Sequence, residues 1–353
     1  MDLVRIGFIG LGNITQTRHL PALRRIGGAV IMGGADINRA LLTQVAERNR
    51  FELLFSDYHD LIQHPDIDAI YVNLPTHLHA EVTVAALQAG KHVFCEKPFA
   101  MNLSEAHAMA QAARQAGRHL MISNVQRYAM RSRLMKQHLH ERARLGNPYY
   151  IKSGMLQRNG EPPEQSWFAR REQSGGGVLM DQGPGMLDQL LWLLDYPKVS
   201  RISGFVGRNV LPASYNVEDT ATLTFEAGGV TCLLELAWSH SSGVHENLLY
   251  TDVFTTRGGI RCRASWSNDG PPLMIFRRDT SDRVASEVIQ FTPVDAYHEQ
   301  NKHFIDSIRT NRPPENTPEQ ALAVLAIISD VYAQCGLPMI ETPTPAPFTA
   351  LNS

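Results

Sequence analysis

The chain has 353 residues, 43% of them hydrophobic and 19% charged, with a formal net charge of −2. That length holds two domains with real cores, and the composition is that of a globular protein rather than a disordered or fibrous one. The near-neutral balance gives no electrostatic case for nucleic acid or an anionic membrane surface as a partner.

The opening segment "MDLVRIGFIG" has an acid at Asp2 and a short apolar run, so no signal peptide is expected. No apolar stretch approaches the roughly 18 residues that span a bilayer. Cys95, Cys232, Cys262 and Cys335 are far apart and form no C-x-x-C pair, so neither a zinc site nor a disulfide framework is signalled. No metal is expected, and a reducing cytoplasm is the expected compartment.

In chain order, "VRIGFIG" is a compact apolar run and reads as a buried strand. It enters "GLGNIT" and a helical stretch, "QTRHLPALRRIGG", closed by glycine. "AVIMGGAD" is a second strand and "NRALLTQVAERN" a second helix. "AIYVNLP" is a strand and "THLHAEVTVAALQAG" a helix stopped at Gly90. "KHVFCEKP" is a strand. "NLSEAHAMAQAARQAG" opens with Asn102 and Glu105 at capping-box spacing and closes at Gly117. "HLMISN" is one more strand. This alternation predicts a mostly parallel, doubly wound sheet.

Between the first strand and first helix sits Gly10-Leu11-Gly12-Asn13-Ile14-Thr15. Gly10 suits a tight turn, and the bare backbone of Gly12 lets a pyrophosphate approach the helix N-terminus. Thr15 holds the third fingerprint position in place of Gly or Ala, which predicts slightly looser helix–strand packing. Asp36 ends the second strand about 20 residues on, the place of a carboxylate that binds the adenosine ribose. It would repel a 2′-phosphate, which favours NAD; Arg39, close by, leaves NADP open.

The second half has another texture. After Asn124 comes a helical stretch, "YAMRSRLMKQHLHERA", then strands with turn signals between them. "YYIKSGMLQR", "VSRISGFVG", "VEDTATLTFEAGGVTCLLELAWS", "LLYTDVFTTRGGIRCRAS", "PLMIFRRD" and "SEVIQFTP" are the candidates. Ala227-Gly228-Gly229 marks a hairpin. Two terminal helices, "HEQNKHFIDSIRTN" and "PEQALAVLAIISDVYAQCG", flank Pro313-Pro314. The fold class is therefore α/β plus α+β. A dinucleotide-binding domain spans 1–124, a domain with a large, open, mostly antiparallel sheet spans 125–340, and a Pro/Thr-rich arm spans 341–353.

The stretch "GGGVLMDQGPGMLDQLLWLL" enters a helix with Asp181, Gly185 and Asp188 near its start. Gly175 to Gly177 suggest backbone mobility, close ligand approach or a plain loop. Gly185 is disfavoured there by about 1 kcal/mol.

"GFIGLGNIT", "NLPTHLHAEVTVAALQAGKHVFCEKPFA" and "GGGVLMDQGPGMLD" together resemble the Gfo/Idh/MocA family of glucose–fructose oxidoreductase and inositol 2-dehydrogenase, from about Val4 to Ile340. The resemblance implies NAD(P)-linked oxidation or reduction at a carbon of a sugar, cyclitol or similar polyol. It implies an open sheet that forms a homodimer or homotetramer interface. Asn13, Ile14, Leu74, Pro75, His79, Glu96, Asn124 and Gln126 fall beside the cofactor, although His79 equally reads as a packed helix residue. Lys97 reaches the nicotinamide ribose and the substrate hydroxyl, and Lys97-Pro98 is a candidate cis bond, plausible because residue 98 is proline. Arg127, Trp167 and Arg170 border the substrate, although Arg170 also reads as a solvated charge.

Hydride transfer needs the substrate carbon held in place and a group for the hydroxyl proton. Lys97 follows a buried strand at the edge where ligands bind in such folds. It polarises the oxygen or acts as base, with Asp181 orienting it or the substrate. Dehydrogenases of the family usually carry histidine four residues after that aspartate, where this chain has Gly185; Asp188 is retained. Either Lys97 does the proton work alone, or His240 or His245 reaches in, or catalysis is lost and the ligand site kept. The last case makes the chain a dinucleotide-binding regulator.

Overall fold

The computed structural model describes residues 3–240, 247–264, 273–279, 281 and 283–341. They fall into two compact units. The first comprises 3–123, Tyr297–Ala323 and 340–341; the second comprises Asn124–Ala296 and Val324–Met339. The expectation of one crossing near residue 124 therefore needs correction. The segment Tyr297–Ala323 returns to the first unit, and the helix Pro318–Gln334 is divided between the two. The predicted arm after residue 341 lies outside the described residues, as does His245.

The first unit holds six parallel strands: β1 (Val4–Ile9), β2 (Ala29–Ala35), β3 (Leu53–Phe55), β4 (Ala69–Val72), β5 (His92–Cys95) and β6 (Leu120–Ile122). Their order, β3-β2-β1-β4-β5-β6, is that of a dinucleotide-binding sheet. Ile6, Phe8, Ile70, Val72, Val93 and Ile122 are buried, because helices cover both faces and leave no wet side. Strand β3 and the helix Tyr58–Gln63 were not foreseen; a three-residue strand is too short to carry a period.

The first helix also differs. A wide turn covers Thr15–His19 and only Leu20–Leu23 is α-helical. Pro21 has no N–H to continue the ladder behind it. Thr15, expected to loosen packing, is fully buried. It donates to the Gly10 carbonyl at 2.7 Å and accepts from Asn73 Nδ2 at 2.8 Å. A hydroxyl thus ties the fingerprint turn to the end of β4.

The second unit holds β7 (Pro148–Leu156), β8 (Val199–Gly207), β9 (Thr220–Ala227), β10 (Val230–Ala237), β11 (Leu248–Thr255), β12 (Gly258–Ala264), β13 (Leu273–Arg278) and β14 (Val284–Ile289). The order is β14-β13-β12-β11-β7-β10-β9-β8, antiparallel throughout except β7 with β10. The β9–β10 hairpin turns through Gly228 and Gly229, both at positive φ, which suits the right-handed twist of the strands. Burial alternates along β9 and β10, so one face is covered. Leu187, Leu190 and Leu191 of the helix Gly183–Leu193 are buried on that side, and the helix packs on β7 and β10.

The triple glycine has a structural cause. A Cβ on Gly176 would stand 2.0 Å from the Tyr332 hydroxyl, and one on Gly177 would stand 1.8 Å from the Glu218 carbonyl oxygen. The Glu218 carboxylate accepts from Gly177 N at 2.9 Å, Leu179 N at 3.0 Å and the Tyr332 hydroxyl at 2.7 Å. The close approach is that of the chain to itself, and it clamps the entry to the Asp181 segment.

Glu218→Gln should therefore lose about 1–3 kcal/mol in urea unfolding, because an amide turns its NH2 onto one of those donors. Gly177→Ala should cost at least as much through overlap. Wild-type midpoints for both would remove the clamp.

Candidate active site

The turn after β1 is open where the fingerprint requires it. Gly10 has φ +89°, and a Cβ there would stand 2.3 Å from the Asn73 carbonyl oxygen. Nothing lies within 4 Å of a Cβ built on Gly12, so the backbone of Gly12, Asn13 and Ile14 is approachable at the start of the helical segment. Asp36 is half-buried. Its Oδ2 accepts from Leu11 N at 2.8 Å and its Oδ1 from Asn38 N at 2.8 Å. Each oxygen keeps a lone pair for a ribose hydroxyl. Arg39 is exposed at the start of the helix Arg39–Asn49. Asn73 Oδ1 and Thr76 Oγ1, buried on either side of Leu74 and Pro75, have no hydrogen-bond partner. Open space at Gly12 and unmet polar atoms beside Leu74 fit a polar ligand.

Two residues expected at the cofactor face inward instead. His79 is 1% exposed, with Nδ1 2.8 Å from the Pro98 carbonyl and Nε2 2.8 Å from the Leu74 carbonyl. Burial holds its imidazole below the ordinary range, with Leu74 and Pro98 opposing. It braces the Leu74–Pro75 turn against the Lys97–Pro98 bond, which is cis. Glu96 is 7% exposed and directs its carboxylate at His19 Nε2 (2.8 Å), Lys97 N (3.1 Å) and the Ser123 hydroxyl. Burial works to raise the Glu96 carboxyl, but His19, Lys97 and Ser123 outweigh it and hold it below the usual range. His19 gave no signal in the sequence. A histidine beside a glycine turn has no periodic partner, and Glu96 lies 77 residues away.

In the second unit, Asp181 ends the one-turn helix Val178–Asp181. Gln182 stays right-handed, so Asp181, Gly185 and Asp188 follow one face at spacings of four and three. Asp181 is half-buried, and its Oδ2 accepts from the indole of Trp238 at 2.9 Å. Trp238 is 1% exposed at the end of β10 and was not anticipated. His240 lies two residues further on and is half-buried. A Cβ on Gly185 would meet only Gln126 Cγ, at 3.8 Å. Gly185 is not at positive φ. Nothing in the backbone requires glycine there, and a methyl group would make ordinary contact with Gln126.

Arg127 and Asp188, expected at the substrate, are instead a sealed ion pair. Their side chains are 1% and 0% exposed, with Nε–Oδ2 and NH2–Oδ1 both at 2.6 Å. The Tyr196 hydroxyl closes on Asp188. Burial opposes the Arg127 charge, but Asp188 more than restores it and keeps the guanidinium raised. The pair fixes the turn Val125–Tyr128 to the helix that carries Gly185. Asn124 is 5% exposed and precedes that turn; Gln126 accepts from Arg131 at 2.8 Å. Trp167 stacks on Phe168 with centroids 3.8 Å apart. Arg170 is exposed and donates to the Ser214 carbonyl at 3.0 Å. Among the described residues no group of three or more His, Cys, Asp or Glu is placed to hold a metal ion, and no helix is long and apolar enough to cross a membrane.

Comparison with known proteins places these features in a family. Residues 4–124 match the oxidoreductase family with an NAD-binding Rossmann fold, and residues 133–261 match the GFO/IDH/MocA C-terminal domain. The chain is 24% identical over 330 residues to myo-inositol 2-dehydrogenase of Thermotoga maritima, covering 92% of this chain and 94% of that one. It is 36% identical over 193 residues to 1,5-anhydro-D-fructose reductase of Ensifer adhaerens, covering 54% of this chain and 56% of that one. The fold matches levoglucosan dehydrogenase in complex with NADH and L-sorbose at TM-score 0.85 and 21% identity, over 96% of this chain and all of that one.

Two stability measurements test the site's framework. Arg127→Met should destabilise by about 3–5 kcal/mol by stranding a buried carboxylate, and Asp188→Leu in the same chain should recover much of it. Gly185→Ala should stabilise by up to about 1 kcal/mol; a clear loss would mean the glycine is structurally required.

Proposed function

The chain belongs to the Gfo/Idh/MocA oxidoreductase family, and from that premise we propose that it moves a hydride between NAD and a hydroxyl or carbonyl carbon of a sugar, cyclitol or related polyol. The observation that carries the reading is the fingerprint turn. The bare backbone at Gly12 faces open space, and Asp36 is pinned across the turn with acceptor capacity to spare. Gly10, Gly12, Asn13 and Ile14 would hold the pyrophosphate, Asp36 the adenosine ribose, and Leu74, Pro75 and Asn124 the nicotinamide end.

When bound, the nicotinamide supplies the hydride acceptor or donor. The chain's own residues handle the proton and the orientation. Lys97 takes the hydroxyl proton or returns it. Asp181, held by the Trp238 indole, orients the substrate hydroxyl. Trp167, Arg170 and His240 border the substrate, and Gln126 lies toward the cofactor. Gly185 leaves the imidazole position of the family empty, so turnover on simple sugars is slow or the substrate is larger. A dinucleotide-binding regulator is the second reading, and the vacant position at Gly185 is what favours it. Exposed Phe205 and Phe254, with Val284 and Val288 of β14, support self-association through the sheet as a homodimer or homotetramer. The four cysteines are free thiols, in keeping with a cytoplasmic setting.

Three measurements test this. NADH should bind more tightly than NADPH in fluorescence titration; the reverse order would move the ribose contact to Arg39. Lys97→Met should cut turnover by about 10²-fold or more with little change in cofactor affinity. Gly185→His should raise turnover on a polyol by about 10-fold or more, and added imidazole should do part of the same to the native protein. If Gly185→His abolishes an efficient native reaction, the glycine makes substrate space. If neither form turns over any polyol while both bind NADH, the regulator reading replaces the enzyme.

A further inference from the structure

Behind the Glu96-Lys97 segment lies a chain of hydrogen bonds whose donors can be counted. Asn301 Nδ2 donates to the Tyr297 carbonyl at 2.7 Å. That sets the amide, so Asn301 Oδ1 is the atom 3.2 Å from His19 Nδ1, and Nδ1 must carry a hydrogen. On the other side, His19 Nε2 lies 2.8 Å from Glu96 Oε1. Glu96 Oε2 accepts from Lys97 N. The Ser123 hydroxyl accepts from Gln300 Nε2 at 3.2 Å, which leaves its own hydrogen for Glu96. Lys97 N and Ser123 both donate to the carboxylate, and at 2.8 Å two lone pairs cannot face each other, so a hydrogen stands between Glu96 Oε1 and His19 Nε2; with Glu96 held below the usual carboxylate range, that hydrogen lies on Nε2. Both imidazole nitrogens are donors.

We propose that His19 is held as an imidazolium whose charge cancels that of Glu96, so that Lys97, the next residue, works beside a neutral pair and not beside a lone carboxylate. His19 is then a positioning residue, acting on Lys97 through Glu96. The inference rests on the reading of Lys97 as the proton-transfer group.

Besides His19, the cation that acts on Glu96 is Lys97 itself. His19 is fully buried against the edges or faces of Tyr71, Phe94 and Tyr297, with ring centroids 5.3–5.8 Å away. Among the described residues, the other titratable or charged groups around the pair include Lys97, Cys95, His79, Tyr71, Tyr297 and Arg18. Burial pushes the Cys95 thiol and the Tyr71 phenol up and His79 down, so all three are uncharged at neutral pH. The Arg18 guanidinium lies 5.5 Å over the Tyr297 ring. A carboxylate left alone beside Lys97 would favour the ammonium and delay its deprotonation. A cancelled one does not.

Two experiments on the full chain test this. In the cofactor-free protein labelled with 15N-histidine, at pH 8, one buried histidine should show both ring nitrogens protonated. That signal should vanish in His19→Gln and become a neutral ring in Glu96→Gln. A single neutral tautomer at His19 in the native protein would overturn the proposal, even if the variants fail to fold. The second measurement is the pH dependence of kcat for polyol oxidation. His19→Gln keeps a donor toward Glu96 but removes the charge, so the limb that rises with pH should move about 1 pH unit or more to the alkaline side. Glu96→Gln and the double variant restore neutrality, and their limbs should return to the native position. If Glu96→Gln and His19→Gln shift the limb alike, the pair is only structural and the inference is wrong. If Lys97→Met keeps the native rate and limb, the reading of Lys97 fails instead, and the nitrogen resonances still decide the charge on His19.

Discussion

A buried carboxylate must be filled with donors, and much of this molecule is arranged around that requirement. Glu96, Asp188, Glu218 and Asp219 are all sealed from solvent. Left unmatched, each would cost several kcal/mol. Glu96 is met by His19, Ser123 and the Lys97 amide. Asp188 is met by Arg127 and Tyr196. Glu218 is met by two amides and Tyr332. Asp219 gathers the amides of Asn209, Val210 and Leu211. Each network pins one segment: the strand end before Lys97, the turn that holds Arg127, the entry to Asp181, and the loop ahead of β9.

The two kinds of glycine in "GGGVLMDQGPGMLD" separate on the same grounds. Gly176 and Gly177 sit against Tyr332 and Glu218, where a methyl group would overlap oxygen. A Cβ on Gly185 would only touch Gln126 Cγ, at 3.8 Å, and the backbone there is not at positive φ. The first pair belongs to the framework, while the third would accept a methyl group without overlap. No periodicity distinguishes them, because the atoms that decide the matter come from residues 218 and 332 in one case and are absent in the other.

The parallel sheet was legible because its strands are short runs of buried aliphatic residues separated by capped helices, and both patterns are local. Asn102 does cap its helix, accepting from Glu105 N at 2.9 Å, while Glu105 reaches back to Met101 N at 2.9 Å. The antiparallel sheet was legible through alternation and the Gly228-Gly229 turn. The three-residue β3 was not, being shorter than any repeat. Nor was the return of Tyr297–Ala323 to the first unit, since its helix carries an ordinary amphipathic pattern that names no partner.

The sequence by itself determined the fold class, the fingerprint turn with Asp36, and the order of Glu96, Lys97 and Pro98 behind a buried strand. These depend on residues close together in the chain, where turn geometry and helix or strand period act directly. Only the tertiary structure decided which polar residues are spent on one another. Glu96, His79, Arg127 and Asp188 look functional as letters, yet their charges and donors are consumed inside the protein. His19 lies 77 residues from Glu96 and Asp188 lies 61 from Arg127, while His79 is held by carbonyls that any residue could provide. Hydrogen-bond satisfaction is a property of the folded neighbourhood, and it leaves no spacing in the chain to be read.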